Sequence, residues 1–586
     1  MKKLLSTILG FTVILFFLYY YLKQDFEKTT PTIYYNGNII TLEESRPTAN
    51  AMFVEDGKIK AIGSAQEIAT YKTDKVAQVD LKGATVMPGF IDPHTHFGIT
   101  MFLSKMHDLS GFTHKSNQEV WESFELSVKQ HKEGEWVICK GIDPILVGDL
   151  IPPSIQYLDK VAPNNPVLIF SQSLHSYWAN SKAFEEVGIT TETPNPSDHS
   201  YYDKDSSGAF TGLIVEQEAI KPFTNLLKDK VLTPKVLGEM GAKVMSEYAK
   251  NGNTTIVTTG ATITDSKPLM LFEHLSAQEP TLLGGLLTKI GMFPQRKATP
   301  RHFVYMRNDV VHLLPEKKGN GDDFYDIIGV KLWYDGSPYI GSMYLNEPYK
   351  ESKMTNETLE IPHSHAGHAL VEKDSLKHII QKYHQQGWQI AIHTQGDAAT
   401  NEVLDVFESL NGALNFSESK HRLEHCLLLS TTGLERMKNL NITPSFHINH
   451  LYYYGDALKS SMLGEDRVEN ILPLGAAQDM AIKYSLHADQ PMFESDPFRL
   501  MQTAIERQTI SGDSIGVNQK INLMEAVKAL TINAAWQFGM EDKIGSLKEG
   551  KYADFIILDR NPFETPTHQL EQIECVKTYV NGNLVL

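Results

Sequence analysis

Cysteine is scarce: Cys139, Cys426 and Cys575 are the only three in 586 residues. Scattered so widely, they exclude a disulfide framework and a zinc ribbon, and they do not fix a redox compartment. Basic runs are absent beyond the short N-terminus, and the formal net charge is −17. Phosphate binding relies on clustered Lys and Arg, so nucleic acid is excluded as a partner. There is no internal repeat and no long low-complexity tract. What remains is a globular composition, 41% hydrophobic and 21% charged, in a chain too long for one compact core in most folds. A barrel of roughly 250 residues or more with decorations is the natural size class.

Charge is also missing from Leu4 to Leu22, a run about as long as an α-helix needs to cross a bilayer. Lys2 and Lys3 precede it. Tyr19, Tyr20 and Tyr21 stand where a signal peptide would carry a small-x-small cleavage site, and they suit a membrane interface. These flanks predict an uncleaved transmembrane helix, with the body of the protein outside the cytoplasm on the periplasmic or extracellular face. Secretion after signal cleavage is the alternative. Residues 1–30 are therefore expected to form an anchor and tether.

From Ile33 onward, short apolar runs are broken by turn signals. Asn36-Gly37, Asp56-Gly57 and, near the C-terminus, Asn581-Gly582 each lie between such runs, a strong sign of a hairpin. Neither end can bury its face alone, so residues 31–87 and 541–586 are expected to pair into one small β-domain. Between them, Thr85–Ile91, Thr254–Thr258, Ile327–Trp333, Gln389–Ile392, His421–Leu423 and Ala481–Leu486 read as strands separated by helices. That alternation predicts a parallel barrel or doubly wound sheet over residues 88–540. Residues 101–235 fit the rhythm poorly, with Pro-rich turns and the hydrophilic stretch Ser197–Ser207, and read as an insertion.

The chemistry gathers at the ends of these runs. In Pro88-Gly89-Phe90-Ile91-Asp92-Pro93-His94-Thr95-His96, alternate strand residues point to one face, so His94 and His96 can reach one ion. A bare His-x-His is weak evidence, but more candidate ligands follow. Lys331 lies inside an apolar strand and must be paired or neutralised there. His393 ends one run, His425 ends another, and Asp489 follows a third within His487-Ala488-Asp489. Any one of them could be a hydrogen-bonded core or loop residue; all of them on strand ends point to a metal. His487 could share the face of Asp489 and orient it, or line the pocket wall. Cys426 should point away into the core.

The chain resembles the amidohydrolase superfamily from Ile33 to its C-terminus. The opening Asn36-Gly37-Asn38-Ile39-Ile40-Thr41, the run Pro88-Gly89-Phe90-Ile91-Asp92 into His94 and His96, and the tail Gly550-Lys551-Tyr552-Ala553-Asp554 carry the likeness. Within it, His175-Ser176-Tyr177-Trp178, Thr211-Gly212-Leu213-Ile214-Val215-Glu216 and Lys331…Asp335-Gly336-Ser337 are similar to N-substituted formamide deformylases. The resemblance implies a distorted (β/α)8 TIM barrel beside a β-sandwich built from both chain ends, with an inserted α+β subdomain. It also implies one or two divalent metal ions, zinc first, with manganese, iron or cobalt equally suited to such ligands. His94, His96 and Asp489 would bind one ion, and His393 and His425 the other. Lys331 would bridge them as a carbamate, which turns a buried cation into a carboxylate-like ligand.

The implied reaction is hydrolysis of a small-molecule, non-peptide C–N bond in an amide, formamide or related group. Metal-activated hydroxide attacks and Asp489 moves the proton. His175 and Glu216 are expected to orient the substrate, with a structural hydrogen bond as the alternative for each. Deamination, isomerisation or decarboxylation would use the same ligands. A non-catalytic exported binding protein would show gaps in the ligand set, and none is present.

Overall fold

The structure is a computed structural model. It describes residues 29–586 apart from 198, 199, 232, 262, 264 and 280, together with Tyr19, Tyr21 and Leu22. The expected span Leu4–Leu22 otherwise lies outside the described residues. Among the described residues, no helix is long and apolar enough to cross a membrane.

Eight parallel strands form one sheet with the pairing order of their sequence: β1 Phe90–Thr95, β2 Asn253–Ala261, β3 Arg301–Arg307, β4 Tyr325–Trp333, β5 Gln389–Thr394, β6 Arg422–His425, β7 Thr443–Phe446 and β8 Ser485–Leu486. The last strand returns to the first. The His96 N–H donates to the Gln490 carbonyl at 2.7 Å, so the sheet is a nearly closed barrel. β2 (Asn-Thr-Thr-Ile-Val-Thr-Thr-Gly-Ala) is buried along its whole length. Its β-branched run suits a strand covered on both faces. Ile91, Val257, Phe303, Tyr305, Ile328 and Ala391 pack with Ala534, Ala535, Phe538, Met540 and Ile544 into one apolar cluster.

β3 and β7 are the two strands not anticipated. β7 is Thr-Pro-Ser-Phe, four residues with a proline and no alternation to read. The expected run Thr85–Ile91 is in fact two strands. Thr85–Pro88 belongs to the terminal sheet and β1 to the barrel, with Gly89 between them. A Cβ on Gly89 would meet the Thr254 side chain at 2.1 Å, so only glycine lets the chain change sheets there.

Both chain ends contribute to one eight-stranded sheet, with Phe555–Leu558 pairing antiparallel to Thr85–Pro88. The expected sandwich is a single sheet that curls. Tyr34 and Tyr579 lie on strands with two others between them, yet their rings meet at 5.7 Å, closer than a flat sheet allows. Asp56-Gly57 and Asn581-Gly582 are hairpin turns with both residues at positive φ. Asn36-Gly37 is not a turn. It sits in a bulge within the single strand Thr32–Ile40. The extra residues let that strand pair with Ala77–Asp80 before the bulge and with Thr85–Val86 after it. A buried ion pair ties this sheet to the barrel: Arg301 at the start of β3 holds Asp554 at 2.6 Å.

The chain divides into two compact units. One comprises the residues up to Thr100, Gly241–Lys350 and Ser364–Leu586. The other is Met101–Met240 with Glu351–His363, against the expected insertion 101–235. This second unit has its own six-stranded sheet and its own core around Leu109, Phe124, Val137 and Ile169.

Candidate metal centre

The C-terminal ends of the barrel strands bring together His94 in β1 and His96 just after it, Lys331 in β4, His393 in β5, His425 at the end of β6, and His487 and Asp489 after β8. The Asp489 Oδ1 lies 3.0 Å from His96 Nε2 and 3.4 Å from His94 Nε2. Their ligand atoms all fall within 4.8 Å of one another, so this expected trio converges. His94 and His425 form a second such group with His487. His393 belongs to neither, although its ring centroid is 4.3 Å from that of His425. Its Nε2 faces the Gly336 carbonyl at 3.4 Å.

Strain helps set this geometry. His425 (φ 71), Cys426 (φ 52) and Asp489 (φ 58) all adopt left-handed backbone. Such conformations cost about 1–3 kcal/mol each and persist where surrounding contacts hold them. The turn at His425 sends the Cys426 N–H back to the Glu424 and Thr394 carbonyls, each at 2.9 Å. Cys426 is buried, as expected of a core residue. Gly260 leaves room for Lys331. A Cβ there would meet Trp333 at 2.5 Å and the Lys331 Cγ at 3.0 Å, and its φ is +97.

Beneath the histidines lies a pair the sequence reading passed over. The Glu424 carboxylate is fully buried, 2.6 Å from His94 Nδ1 and 2.8 Å from Arg422 Nε. Arg422 also donates to the Pro93 carbonyl at 3.0 Å. Period-two alternation in Arg422-Leu423-Glu424 was the available signal: two charges on one face of a buried strand need each other. Because the ion-paired carboxylate accepts from Nδ1, the His94 proton sits there and the Nε2 lone pair faces Asp489.

His447 and His450 were also missed, since they follow the unread β7. The His447 Nε2–H donates to the Ala488 carbonyl at 3.1 Å, which leaves Nδ1 3.9 Å from Asp489 Oδ2. Asp335 was read only as part of a motif. It accepts backbone N–H bonds from Gln395, Gly396 and Tyr344 and so organises the turn after β5. Burial raises its carboxyl to about 7. His175 and Glu216 lie in the second unit, where the His175 Nδ1 and the Glu216 carboxylate pair at 3.0 Å.

The donor set fits a divalent cation. Burial pushes the imidazoles of His94, His425, His447 and His487 well below their usual range, and those of His393 and His450 to about 3, so these rings are neutral lone-pair donors. Burial works to raise Asp489, but its contacts with the surrounding imidazoles, His96 first and then His447 and His487, together outweigh it and keep the group a carboxylate. Buried and without a hydrogen-bond partner are His94 Nε2, His96 Nδ1, His393 Nδ1, His447 Nδ1, Asp489 Oδ1 and Lys331 Nζ. A lone pair on His94 facing a carboxylate oxygen at 3.4 Å is repulsive unless a cation lies between them. Burial also pulls the Lys331 ammonium down to about 8, which favours the neutral amine that carbamate formation requires.

Beside the centre is a narrow void, too tight for a water-sized sphere, lined by His96, Gly98, Thr258, Gly260, Ala261, Ile263 and Phe272. A larger cleft of about 400 Å³, lined by Glu43, Lys483, Trp536 and Lys551 among others, shares no residue with the centre. Size alone does not mark the site.

The model of a family described as "Amidohydrolase family" matches residues 77–586. The N-substituted formamide deformylase of Arthrobacter pascens is 26% identical over 94% of this chain and 97% of its own. A protein of Arabidopsis thaliana named LONG AFTER FAR-RED 3 is 25% identical over 93% of this chain and 90% of its own. Among solved structures, an uncharacterized metal-dependent hydrolase from Pyrococcus horikoshii superposes with a TM-score of 0.69 at 23% identity, over 92% of this chain and 99% of that one. Relatives at one level of identity thus carry unrelated names, so identity marks the family and not the substrate.

Proposed function

Because the chain belongs to the amidohydrolase family, we propose that it is a metal-dependent hydrolase of a small non-peptide C–N bond in an amide, a formamide or a related group. The observation that carries this reading is the convergence of His94, His96 and Asp489, whose ligand atoms all lie within 4.8 Å of one another. A divalent ion, zinc first among those suited to these ligands, supplies Lewis acidity and lowers the pKa of water so that hydroxide is available near neutral pH. The likeness to a formamide deformylase supports the choice of bond.

The side chains do the rest. Glu424 holds the His94 tautomer and orients its ring, with Arg422 fixing Glu424 in turn. Asp489 stays ionised and accepts the proton of the attacking water, then delivers it to the leaving nitrogen. Its His96 contact favours the carboxylate form needed for the first transfer. Lys331, carbamylated, completes the ligand set beside His393 and His425. Gly98, Gly260, Ala261, Ile263 and Phe272 form a mostly apolar wall next to His96. The apolar run Leu4–Leu22 anchors the protein with its catalytic body outside the cytoplasm.

The test is metal content per chain on protein purified without chelators, followed by an amide and formamide panel scored for released amine and carboxylate. Metal-dependent release of both products supports the reading. Absence of metal even after reconstitution overturns it.

A further inference from the structure

Large exposed apolar side chains occur singly over most of the described surface, with one exception. The helix Leu282–Lys289 and the residue that follows it expose Leu282 (47%), Leu283 (49%), Leu286 (43%) and Ile290 (60%). At 100° per residue these four fall within about 100° of arc, one continuous face. The opposite side of the helix, at Gly284 and Thr288, is buried against His274. An apolar stripe facing out from a helix already packed on its other side is the reverse of the usual amphipathic arrangement. It costs solvation unless something covers it.

The charge around it is as uneven. From Thr281 to Lys297 there is no acidic residue, while Lys289, Arg296 and Lys297 are basic, in a chain whose net charge is −17. Apolar side chains flanked by lysines are the composition of a helix that lies in a membrane interface.

The position of the N-terminal run says what covers the face. Leu22, the last residue of that run, lies against this same helix. A Cβ built on Gly285 would meet the Leu22 carbonyl oxygen at 1.9 Å, so glycine is what lets the two backbones approach. The Tyr21 ring lies 4.7 Å from the Lys289 ammonium. On the helix, Gly285 and Lys289 fall immediately beside the exposed arc. Wherever Leu4–Leu22 enters a bilayer, the face of Leu282, Leu283, Leu286 and Ile290 lies next to the point of entry.

We propose that the exposed face of Leu282, Leu283, Leu286 and Ile290 inserts among the acyl chains of an anionic bilayer, with Lys289 and Lys297 at headgroup level. This makes a second membrane contact beside the anchor. It rests on reading Leu4–Leu22 as that anchor, and it holds the catalytic unit against the membrane surface rather than free on a tether.

The experiment uses the full chain carrying Cys575→Ser and Leu286→Cys, labelled at residue 286 with an environment-sensitive fluorophore. Cys139 and Cys426 are buried and stay unlabelled. The protein is reconstituted into phosphatidylcholine–phosphatidylglycerol vesicles with and without bromine on the acyl chains. Insertion predicts that bromine quenches the label at 286 by about twofold or more, while a label at the exposed Val576 is unaffected. Ile290→Cys repeats the measurement if the first variant disturbs the Gly285 contact. Vesicle-bound protein with an unquenched label at both positions overturns the proposal and leaves the anchor standing. Failure of the full chain to bind vesicles overturns both. Energy transfer between labelled copies without quenching would assign the face to a second copy of the chain, and also overturns it.

Discussion

Replacing Glu424 with glutamine tests whether the centre is organised from beneath. The change is nearly isosteric but removes the charge that accepts from His94 Nδ1 at 2.6 Å and pairs with Arg422 at 2.8 Å. Two costs follow. With its oxygen turned to Arg422, the amide presents an NH2 donor to His94 Nδ1. That moves the imidazole proton to Nε2, where the lone pair is needed. Loss of such a supporting contact weakens metal binding by about 10–100-fold, or about 1.4–2.7 kcal/mol. Separately, the Arg422 guanidinium stays fully buried with its carboxylate gone. Stranding a charge in this way costs about 3–5 kcal/mol, and the lower end applies because the Pro93 carbonyl still accepts one bond. Competition against a chelator reads the first cost, and urea unfolding of metal-free protein reads the second. The double variant Arg422→Met with Glu424→Gln separates them. It should recover most of the stability and part of the metal affinity, because without Arg422 the amide is free to turn its oxygen to His94 Nδ1. Unchanged metal affinity in Glu424→Gln would refute the reasoning and reduce Glu424 to a counter-ion for Arg422.

Lys331→Ala should lower metal content and activity together, by at least about tenfold in activity; metal content equal to that of the parent would remove Lys331 from the centre. Arg301→Met should destabilise the fold by about 3 kcal/mol, because Asp554 is left buried with only backbone partners such as the Asn581 N–H; an unchanged urea midpoint would contradict it. Acid should unfold the protein for a reason unrelated to the metal. Burial lowers His302 and His421 to about 3 from 6.5, so the folded state keeps them neutral while the unfolded state takes up protons. Stability is then full above pH 6.5 and falls towards pH 3 by about 1.4 kcal/mol per pH unit for each histidine, and a flat unfolding profile between pH 7 and 5 would show that these rings are not held neutral.

The legible parts of this chain were those with a repeating signal or a fixed spacing. His94 and His96 could be placed because one residue separates them on a strand. Lys331 stood out because an ammonium inside Ile327–Trp333 needs a reason to be there. Asp56-Gly57 gave a true hairpin, while Asn36-Gly37, the same kind of pair, sits in a bulge. The difference is not local. Thr32–Ile40 has to change partners from Ala77–Asp80 to Thr85–Val86, and a strand segment some forty residues downstream decides that. β7 was invisible because four residues with a proline carry no period, and His447 and His450 went unread with it.

The same reasoning explains why the supporting groups were harder to find than the groups they support. A ligand on a strand end sits at a break in an apolar run, and the break shows in the sequence. Arg422 and Glu424 sit within the strand, and their partners lie far away in sequence: Pro93 for Arg422 and His94 for Glu424. The alternation shows that the two charges share a face, but nothing within a short window shows that this face is buried, because burial is conferred by the closure of β1 on the rest of the barrel. Buried charge of this kind is tolerated only where an opposite charge answers it, as Arg422 and Glu424 answer each other. A strand that carries two of them under a histidine cluster is therefore a sign that the cluster must be held in one tautomer and one orientation, which a metal site requires and an apolar core does not.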